Sequence, residues 1–205
     1  MKNNKLILTI ALILIITTIF YLEGKRPVVG PINPDVDIPI EETSKRIEQK
    51  SKKYERAKEL VSPEGYINTD PITISELIGK KVILVDFWTF SCINCQRTFP
   101  YLKSWYEEYK DDGLEIIGVH TPEFEFEKVY GNVVKATEKY GITYPVVQDN
   151  DYQTWSAYRN RYWPRKYIID IDGFIVYDHI GEGAYKATEA KIRELLDERN
   201  EVLGL

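Results

Sequence analysis

The sequence predicts an α/β domain that follows one N-terminal membrane helix, and three segments in the middle of the chain support the α/β prediction. Lys81 to Trp88 is a short apolar run with one acidic residue inside it, which is typical of a buried central strand. A helix is predicted from about Cys92 to Lys110, and Leu114 to His120 is predicted to be a second buried strand. Strand, helix and strand in this order form a βαβ unit.

The remaining elements of the domain follow in order along the chain. A helix is predicted from Phe124 to Tyr140, with Gly141 as its C-cap. Two strands, Lys166 to Ile171 and Phe174 to Ile180, are separated by Asp172-Gly173, which is a strong hairpin signal. The shorter elements are a predicted strand, a short helix and a closing helix: Tyr144–Val147, Asp151–Tyr158 and Thr188–Arg199.

Composition divides the chain into three parts. We predict a membrane anchor at residues 1–26, a linker with a charged helix at residues 27–61, and the globular domain at residues 62–205. The linker starts with a proline-containing spacer, which favours an extended conformation. Glu41 to Leu60 is dense in charges of both signs, so we expect either a solvated helix or a stalk there, laid against the domain.

The predicted anchor is the apolar segment near the N-terminus. Leu6 to Leu22 is an uncharged run of about 17 residues, the lower limit for a helix that crosses a bilayer. The run lacks the small residues of a signal-peptide cleavage site, so an uncleaved anchor is predicted. Lys2 and Lys5 favour a cytoplasmic N-terminus, although Lys25 and Arg26 beyond the run weaken that signal. The predicted location is the cell membrane, with a single pass and the domain on the extracytoplasmic side.

Size, charge and cysteine count narrow the possible functions. A chain of 205 residues that is 43% hydrophobic can bury one ordinary core. The net charge of −5 does not suggest a nucleic-acid partner, which would favour a concentrated basic surface. The two cysteines, Cys92 and Cys95, form a CxxC motif. A structural disulfide across such a short loop stabilises little, so we expect a chemical role for this pair.

The position of the CxxC motif predicts a redox-active pair. Cys92 directly follows a buried strand and opens a helix, with Ser91 as the expected N-cap. Free amide groups and the helix dipole lower the pKa of a thiol there and favour the thiolate, the species that attacks a disulfide. Cys95, one turn further in, is expected to be less exposed and to resolve the mixed disulfide. The Cys92–Cys95 disulfide is the only redox group predicted, and no other cofactor is expected.

A zinc site is the alternative for a CxxC motif. A structural zinc site needs four ligands, and the only histidines are His120 and His179. The sequence has no second CxxC motif. The ligand count therefore disfavours zinc, and no metal is predicted.

Asp86, six residues before Cys92, lies inside the apolar run of the first strand. A buried carboxylate without a partner has a raised pKa, which would allow it to accept the proton of Cys95. Alternation places Asp86 on the face opposite Val85 and Phe87, so a carboxylate that points out of the sheet at an edge is the alternative. We favour the catalytic role, because acids with perturbed pKa values concentrate at active sites.

The stretch VDFWTFSCINCQRTFP resembles the active-site segment of thioredoxin-like proteins. Further downstream, GVHTPEFEFEK, YPVVQDND and NRYWPRKYIIDIDG resemble the thioredoxin-like domain of DipZ-type proteins, members of the TlpA/DsbE-like group of membrane-tethered thiol oxidoreductases. The resemblance covers about Gly65 to Leu196. It implies a thioredoxin-like fold, with a central mixed β-sheet flanked by helices, and a thiol–disulfide oxidoreductase activity. It also implies that Pro100 lies in the active-site helix and that the segment between His120 and Asp151 is an α/β insert.

Five further residues are candidates for the site. The proline that matches Pro164 in the family is cis, so the resemblance implies a cis Trp163–Pro164 bond and a Trp163 backbone that binds the substrate peptide. A trans proline that starts a strand is the alternative. His120 and Glu123 follow a strand at the edge where α/β sheets place their sites, so they either tune the cysteines or are solvated loop residues. Trp88 is expected either to shield the pair on the substrate side or to belong to the core.

The resemblance also implies partners. DipZ-type proteins carry the domain fused to a multi-span electron-transporting segment, whereas this chain has one predicted anchor. Electrons are therefore expected to come from a separate, CcdA-like membrane protein, and the clients to be disulfide-containing proteins outside the cytoplasm. The Ile-Asn pair between the cysteines does not indicate a redox potential.

Two other functions compete with disulfide reduction. Copper chaperones that resemble this chain use a CxxxC motif and a distant histidine, whereas here the spacing is two and His179 would be a lone third ligand. A thiol peroxidase needs a peroxidatic cysteine in a different turn context. The sequence therefore predicts a membrane-anchored oxidoreductase that reduces client disulfides.

Overall fold

The computed structural model describes residues 40–205, which contain a mixed sheet of six strands. The strands are β1 (Gly65–Ile67), β2 (Val82–Trp88), β3 (Leu114–His120), β4 (Val146–Gln148), β5 (Arg165–Ile169) and β6 (Ile175–Ile180). Their order across the sheet is β1-β4-β3-β2-β5-β6. Strands β2, β3 and β4 are parallel, whereas β1, β5 and β6 run antiparallel to their neighbours. The predicted βαβ unit and the hairpin of the last two strands are confirmed.

Six α-helices and one 3-10 helix accompany this sheet in the described part of the chain. The α-helices are α1 (Ile40–Ser51), α2 (Ile74–Leu77), α3 (Ile93–Tyr109), α4 (Tyr130–Tyr140), α5 (Gln153–Ala157) and α6 (Tyr185–Leu203), and the 3-10 helix spans Glu125–Lys128. None of the described helices is both long and apolar enough to span a bilayer. The predicted anchor at Leu6 to Leu22 and the spacer after it lie outside the described residues.

Strand β2 separates two cores, because its side chains alternate between the faces of the sheet. Leu84 and Trp88 pack on the face that also buries Cys95 and the apolar sides of α3 and α6. Val85 and Phe87 pack on the opposite face, together with residues of α2 and of the segment before β1. All seven residues of β2 are buried, as expected of the strand at the centre of a covered sheet.

The structure differs from the predicted elements in three places. Strand β1 and the short helix α2 were not predicted, and β1 pairs with β4 at the far edge of the sheet. The helix predicted from Phe124 to Tyr140 is divided into the 3-10 helix and α4. The division falls at Val129, which has an extended backbone with φ −73° and ψ 113°. The Glu127 side chain accepts hydrogen bonds from the amides of Glu123 and Phe124, and these contacts cap the 3-10 helix at its N-terminal end.

The segment from Glu41 to Leu60 is helical only in its first part, and that helix lies against the domain. Helix α1 ends at Ser51, and the following residues add to the sheet edge through a bridge between Arg56 and Phe174. Leu60 is only 7% exposed and belongs to a core cluster. The compact part of the chain therefore extends to the N-terminal side of Ser62.

Helix α1 is attached to the domain by a cluster of ion pairs. The Lys50 ammonium lies 2.7 Å from a carboxylate oxygen of Asp170 and 2.8 Å from one of Asp172, and it also contacts Glu198. Arg46 donates two hydrogen bonds of 2.8 Å to Asp172. Burial opposes the charge of Lys50, but the three carboxylates raise its pKa above the ordinary value, so the ammonium is the stable form.

We predict that Lys50→Met lowers the free energy of unfolding by about 3 kcal/mol, because Asp170 and Asp172 would be left buried without this cation. The matched control is Lys45→Met on the same helix. Lys45 is 68% exposed and, within residues 40–205, forms an ion pair only with Glu41, so its loss should change stability by less than about 0.5 kcal/mol. Urea denaturation at pH 7 measures both. Equal, small effects would show that α1 is not attached through this cluster.

Candidate active site

The CxxC pair lies at the connection between the end of β2 and the start of α3, beside the centre of the sheet. Cys92 is the N-cap of α3, with an extended backbone, and its Sγ accepts a hydrogen bond of 3.3 Å from the Cys95 amide. The prediction that Ser91 caps the helix is wrong. The Ser91 hydroxyl instead donates to the Glu127 carboxylate at 2.6 Å, so it is not free to cap.

The two thiols are unequal. Cys92 is half-buried and Cys95 is fully buried, and both are free thiols in this structure. Hydrogen bonding from the Cys95 side chain, aided by the amides of Cys95 and Asn94, lowers the pKa of Cys92 to about 7 against the opposing effects of burial and of Glu123. Burial raises the pKa of Cys95 well above the ordinary thiol value. The outer thiol therefore ionises near neutral pH, whereas the inner one holds its proton.

Asp86 lies on the same face of β2 as the core around Cys95. Its side chain is fully buried, and neither carboxylate oxygen has a hydrogen-bond partner among residues 40–205. Burial raises the pKa of Asp86 to about 7, with Lys166 acting against the rise and Cys92 adding to it. Because β2 has partners on both sides, the alternative of an outward carboxylate at a sheet edge is excluded. Asp86 is thus a buried acid that titrates near neutral pH.

Lys166 was not among the predicted site residues. It is the direct cross-strand partner of Asp86 in β5, and it is fully buried. Its ammonium donates to the Gly181 carbonyl at 3.3 Å. Burial lowers the pKa of Lys166, and the Asp86 carboxylate acts to raise it. A lysine at the start of an apolar strand was the available signal, but its facing partner depends on the register between β2 and β5.

Trp88 belongs to the core. It is fully buried, and its ring packs edge-on against Phe99 and His120 at centroid distances of 5.2 and 4.9 Å. Of the two alternatives for Trp88, membership of the core is therefore confirmed, and this burial excludes a substrate-binding position on the substrate side of the cysteine pair. Gly118, opposite Asp86 in β3, makes room for the indole, since a Cβ there would lie 2.8 Å from Trp88 Nε1. The Trp88 indole therefore lies over Gly118, the residue that pairs with Asp86 in the neighbouring strand.

His120 packs against the loop before the cysteines from the core side. It ends β3 and is fully buried, so the alternative of a solvated loop residue is wrong for His120. Its ring stacks on Phe90 at 5.5 Å, and its Nε2 lies 3.4 Å from the Thr89 hydroxyl. Burial lowers the pKa of His120 to about 4, so the imidazole is neutral at physiological pH. It can act on the cysteines through the shape of this loop but not through a positive charge.

Glu127 was also missed by the sequence analysis. It is fully buried and accepts hydrogen bonds from the Ser91 amide and hydroxyl, at 3.2 and 2.6 Å. Together with its bonds to the amides of Glu123 and Phe124, these contacts join the turn after β3 to the loop before Cys92. Burial alone would raise the pKa of Glu127, but the hydrogen bonds lower it. The sequence offered no signal, because Glu127 is one of three acidic residues that alternate with phenylalanines, and nothing in this run distinguishes the buried acid from the exposed ones.

The Trp163–Pro164 peptide bond is cis, which confirms the prediction. Pro164 is buried, and Trp163 is half-buried, with its indole donating to the Thr121 carbonyl at 3.0 Å. Trp163 and Cys92 both pack at the margin of the same core cluster. The pairing of β5 with its neighbours starts only at Arg165, and within residues 40–205 the Trp163 backbone has no main-chain partner. Its amide and carbonyl are available to an incoming chain.

The described residues offer one group of side chains close enough to share a metal ion, formed by Asp170, Asp172 and Glu198. This group lies at the α1 junction, and the Lys50 ammonium already contacts all three carboxylates. His179, the third ligand that a copper site would need, lies on β6 with its Nε2 3.3 Å from the Glu182 carbonyl. In the described part of the chain it does not join the cysteines in a three-ligand cluster.

A mixed sheet of this order with a CxxC pair at the start of a helix defines the class of thioredoxin-like thiol–disulfide oxidoreductases. The family model described as AhpC/TSA family matches residues 54–178. The chain belongs to the AhpC/TSA family. Within this family, the predicted thioredoxin-like fold and the predicted membership of the TlpA/DsbE-like oxidoreductases are confirmed by the relatives described next.

Three known proteins show the relationship. The chain is 53% identical over 137 residues to the protein DipZ of Mycobacterium bovis, a match that covers 65% of this chain and 20% of DipZ. It is 34% identical over 128 residues to the thiol-disulfide oxidoreductase ResA of Halalkalibacterium halodurans, covering 62% of this chain and 67% of ResA. A solved structure of a thioredoxin-like protein in the oxidized form aligns with a TM-score of 0.65 and 28% identity, covering 71% of this chain and 97% of that one. The chain spans about a fifth of the length of DipZ.

We predict that Cys92 reacts with iodoacetamide at a rate that rises with pH through a midpoint of about 7, because only the thiolate form is nucleophilic. Cys95 should remain unmodified over the same range. Rates are followed by mass spectrometry from pH 5 to 9, and peptide mapping identifies the labelled cysteine. The Cys92→Ser variant is the control and should label slowly. A midpoint near 9, or faster labelling of Cys95, would contradict the inequality of the thiols.

Proposed function

We propose that the protein is a membrane-anchored, extracytoplasmic oxidoreductase that reduces disulfides of client proteins. The observation that supports this most strongly is the unequal CxxC pair, with an accessible thiolate at Cys92, a buried thiol at Cys95 and a buried acid behind them. Each group has the protonation state that its step requires.

The first step is attack on the client. An extended client segment pairs with the free amide and carbonyl of Trp163 and places its disulfide beside Cys92. The Cys92 thiolate attacks one sulfur, the client S–S bond breaks, and the departing client sulfur leaves as a thiolate that takes a proton from solvent. The product is a mixed disulfide between Cys92 and the client. Main-chain pairing makes few demands on the client side chains.

The second step is resolution. The Asp86 carboxylate accepts the proton of the Cys95 thiol, and the new thiolate attacks the Cys92 sulfur. The mixed disulfide breaks, the second client thiolate leaves, and a Cys92–Cys95 disulfide remains. Two electrons have then passed from the dithiol to the client. A pKa of Asp86 near 7 suits this transfer, because the group can both take and return a proton at neutral pH.

The pKa of Cys92 supports the reducing direction. A strongly stabilised thiolate stabilises the dithiol form and makes a couple oxidising, as in DsbA, whose reactive cysteine has a pKa of about 3.5. Thioredoxin, a reductant, has a value of about 7. The pKa of Cys92, about 7, is similar to that of the reductant thioredoxin.

The location and the electron donor complete the proposal. The apolar run from Leu6 to Leu22 would anchor the chain, with the domain on the extracytoplasmic side. Electrons that regenerate the dithiol would come from a separate CcdA-like membrane protein, as the resemblance to DipZ-type proteins implies. Protease accessibility of the domain in intact cells tests the orientation, and recovery of a soluble form that lacks the residues before Lys25 would contradict the anchor.

We predict that the full-length reduced protein in detergent reduces a model protein disulfide, and that Cys92→Ala abolishes this activity. Cys95→Ala should instead accumulate a mixed disulfide through Cys92, which non-reducing gels and mass spectrometry detect. Cys92→Ala in the same assay is the matched control and should trap nothing. Equilibration with glutathione gives the reduction potential, expected near the thioredoxin value of about −270 mV. Trapping through Cys95, or a potential near about −120 mV, would contradict the proposal.

A further inference from the structure

An acidic and aromatic surface flanks Cys92 and has no role in the mechanism above. Glu123, Phe124 and Phe126, here called the flank, lie at the end of the turn after β3 and in the first part of the 3-10 helix. Phe124 and Phe126 are 49% and 51% exposed, so two large apolar side chains form one exposed patch. Their rings stack on each other at 5.6 Å.

Four contacts fix the flank beside the cysteine. Glu127 binds the Ser91 amide and the amides of Glu123 and Phe124, so the turn and the residue before Cys92 share one anchor. The Phe126 ring lies 5.8 Å from Phe90, two residues before Cys92. The flank therefore occupies a fixed place next to the nucleophile.

Glu123 is the unpaired charge of this surface. Its side chain is exposed, and among residues 40–205 no cation pairs with it. The neighbouring charges are engaged: Glu125 pairs with Lys128 at 2.6 Å, and Arg97 on α3 pairs with Glu182 at 3.3 Å.

The other acidic groups around Cys92 are held inside the fold. Glu127 is buried and accepts a hydrogen bond from Ser91, and Asp86 is buried behind Cys95. The negative charge of Glu123 nevertheless reaches the Cys92 sulfur, where it opposes the thiolate and raises its pKa. An exposed acid that disfavours the thiolate form of the cysteine beside it, and that has no cation partner among residues 40–205, is suited to a cation brought by the client.

We propose that the flank selects client disulfides that have a lysine or arginine next to the reacting cysteine, and that this cation, bound to Glu123 and to the faces of Phe124 and Phe126, relieves the repulsion of the Cys92 thiolate. The inference rests on the proposed reductase function and adds the charge class of its substrate. A carboxylate and the face of an aromatic ring both attract a cation. Even at an exposed site, each of these contacts stabilises a bound cation by a fraction of a kcal/mol to about 1 kcal/mol. The exchange itself is unchanged: one S–S bond breaks, one forms, and the departing client sulfur takes a proton.

The test compares three small disulfides of similar size in single-turnover reduction by the full-length dithiol protein. Cystamine is cationic, dithiodiglycolate is anionic, and hydroxyethyl disulfide is neutral. The parent protein should reduce cystamine faster than dithiodiglycolate. Glu123→Gln should lower the ratio of these two rates by about two- to fivefold, the range that exposed ion pairs give. Salt at 0.5 M should shrink the ratio of the parent towards that of the variant.

Two further measurements separate charge recognition from a structural effect. Glu125→Gln is the matched control, because it removes one charge of the same turn that already pairs with Lys128, and it should leave the ratio unchanged. Glu123→Gln should also shift the pH midpoint of Cys92 alkylation to lower pH, because a repelling charge is removed. Its rate with the neutral disulfide near pH 6 should therefore rise rather than fall.

The outcomes distinguish this inference from the function on which it rests. A parent protein that reduces none of the three disulfides contradicts the proposed function. A parent that reduces all three, with a ratio that Glu123→Gln does not change, contradicts only the role of the flank. An equal change of the ratio in Glu125→Gln would also overturn it, because the selectivity would then come from the general charge of the turn.

Discussion

The Asp86 carboxyl group lies at the centre of the sheet without a hydrogen-bond partner among residues 40–205, and the proposed resolution step depends on it. Asp86 is buried because β2 is paired on both sides and covered on both faces. Burying an isolated carboxylate is unfavourable, and the fold reduces the cost in two ways. The group keeps its proton below a pH of about 7, because burial raises its pKa to that value, and Lys166 is its cross-strand partner in β5.

The burial of Asp86 also explains why the two thiols have different roles in the proposed mechanism. A protonatable group behind Cys95 is useful only if Cys95 is buried with it, and only if the other thiol faces outward. Capping of α3 by Cys92 produces this arrangement, since it places one sulfur at the start of the helix and the other one turn inside. The 3-10 turn then fixes the loop through Glu127, and the neutral ring of His120 supports it from the core. The site is therefore held by groups that lie far apart along the chain.

The strands that form the centre of the site could be predicted from the sequence because their signals are local. An apolar run with an acid inside it identifies β2, and the predicted bounds of β3 agree with the structure. The position of Cys92 after a strand predicts the unequal pair by general physical chemistry. The cis Trp163–Pro164 bond was predictable only through the family resemblance, because general statistics favour trans.

The contacts that were missed join residues that are distant in sequence. Lys166 faces Asp86 only because β5 pairs with β2 in one register. Glu127 reaches Ser91 across 36 positions, and Lys50 reaches Asp172 across 122. Lys50 stands in a segment dense in mixed charge, which local patterns assign to the surface, and Lys166 stands in an apolar strand whose register against β2 local patterns do not give.

The role of Asp86 as proton acceptor is the central claim, and it is tested most directly by the rate of mixed-disulfide resolution in Asp86→Asn. The mixed disulfide is formed on Cys92 by rapid mixing with an excess of a chromogenic disulfide, and release of the second thiol is followed from pH 6 to 9. Asn keeps the shape of the side chain but cannot take a proton, so resolution should slow at least about tenfold, while the first attack by Cys92 changes little. Equal resolution rates in the parent and the variant across this range would contradict the account.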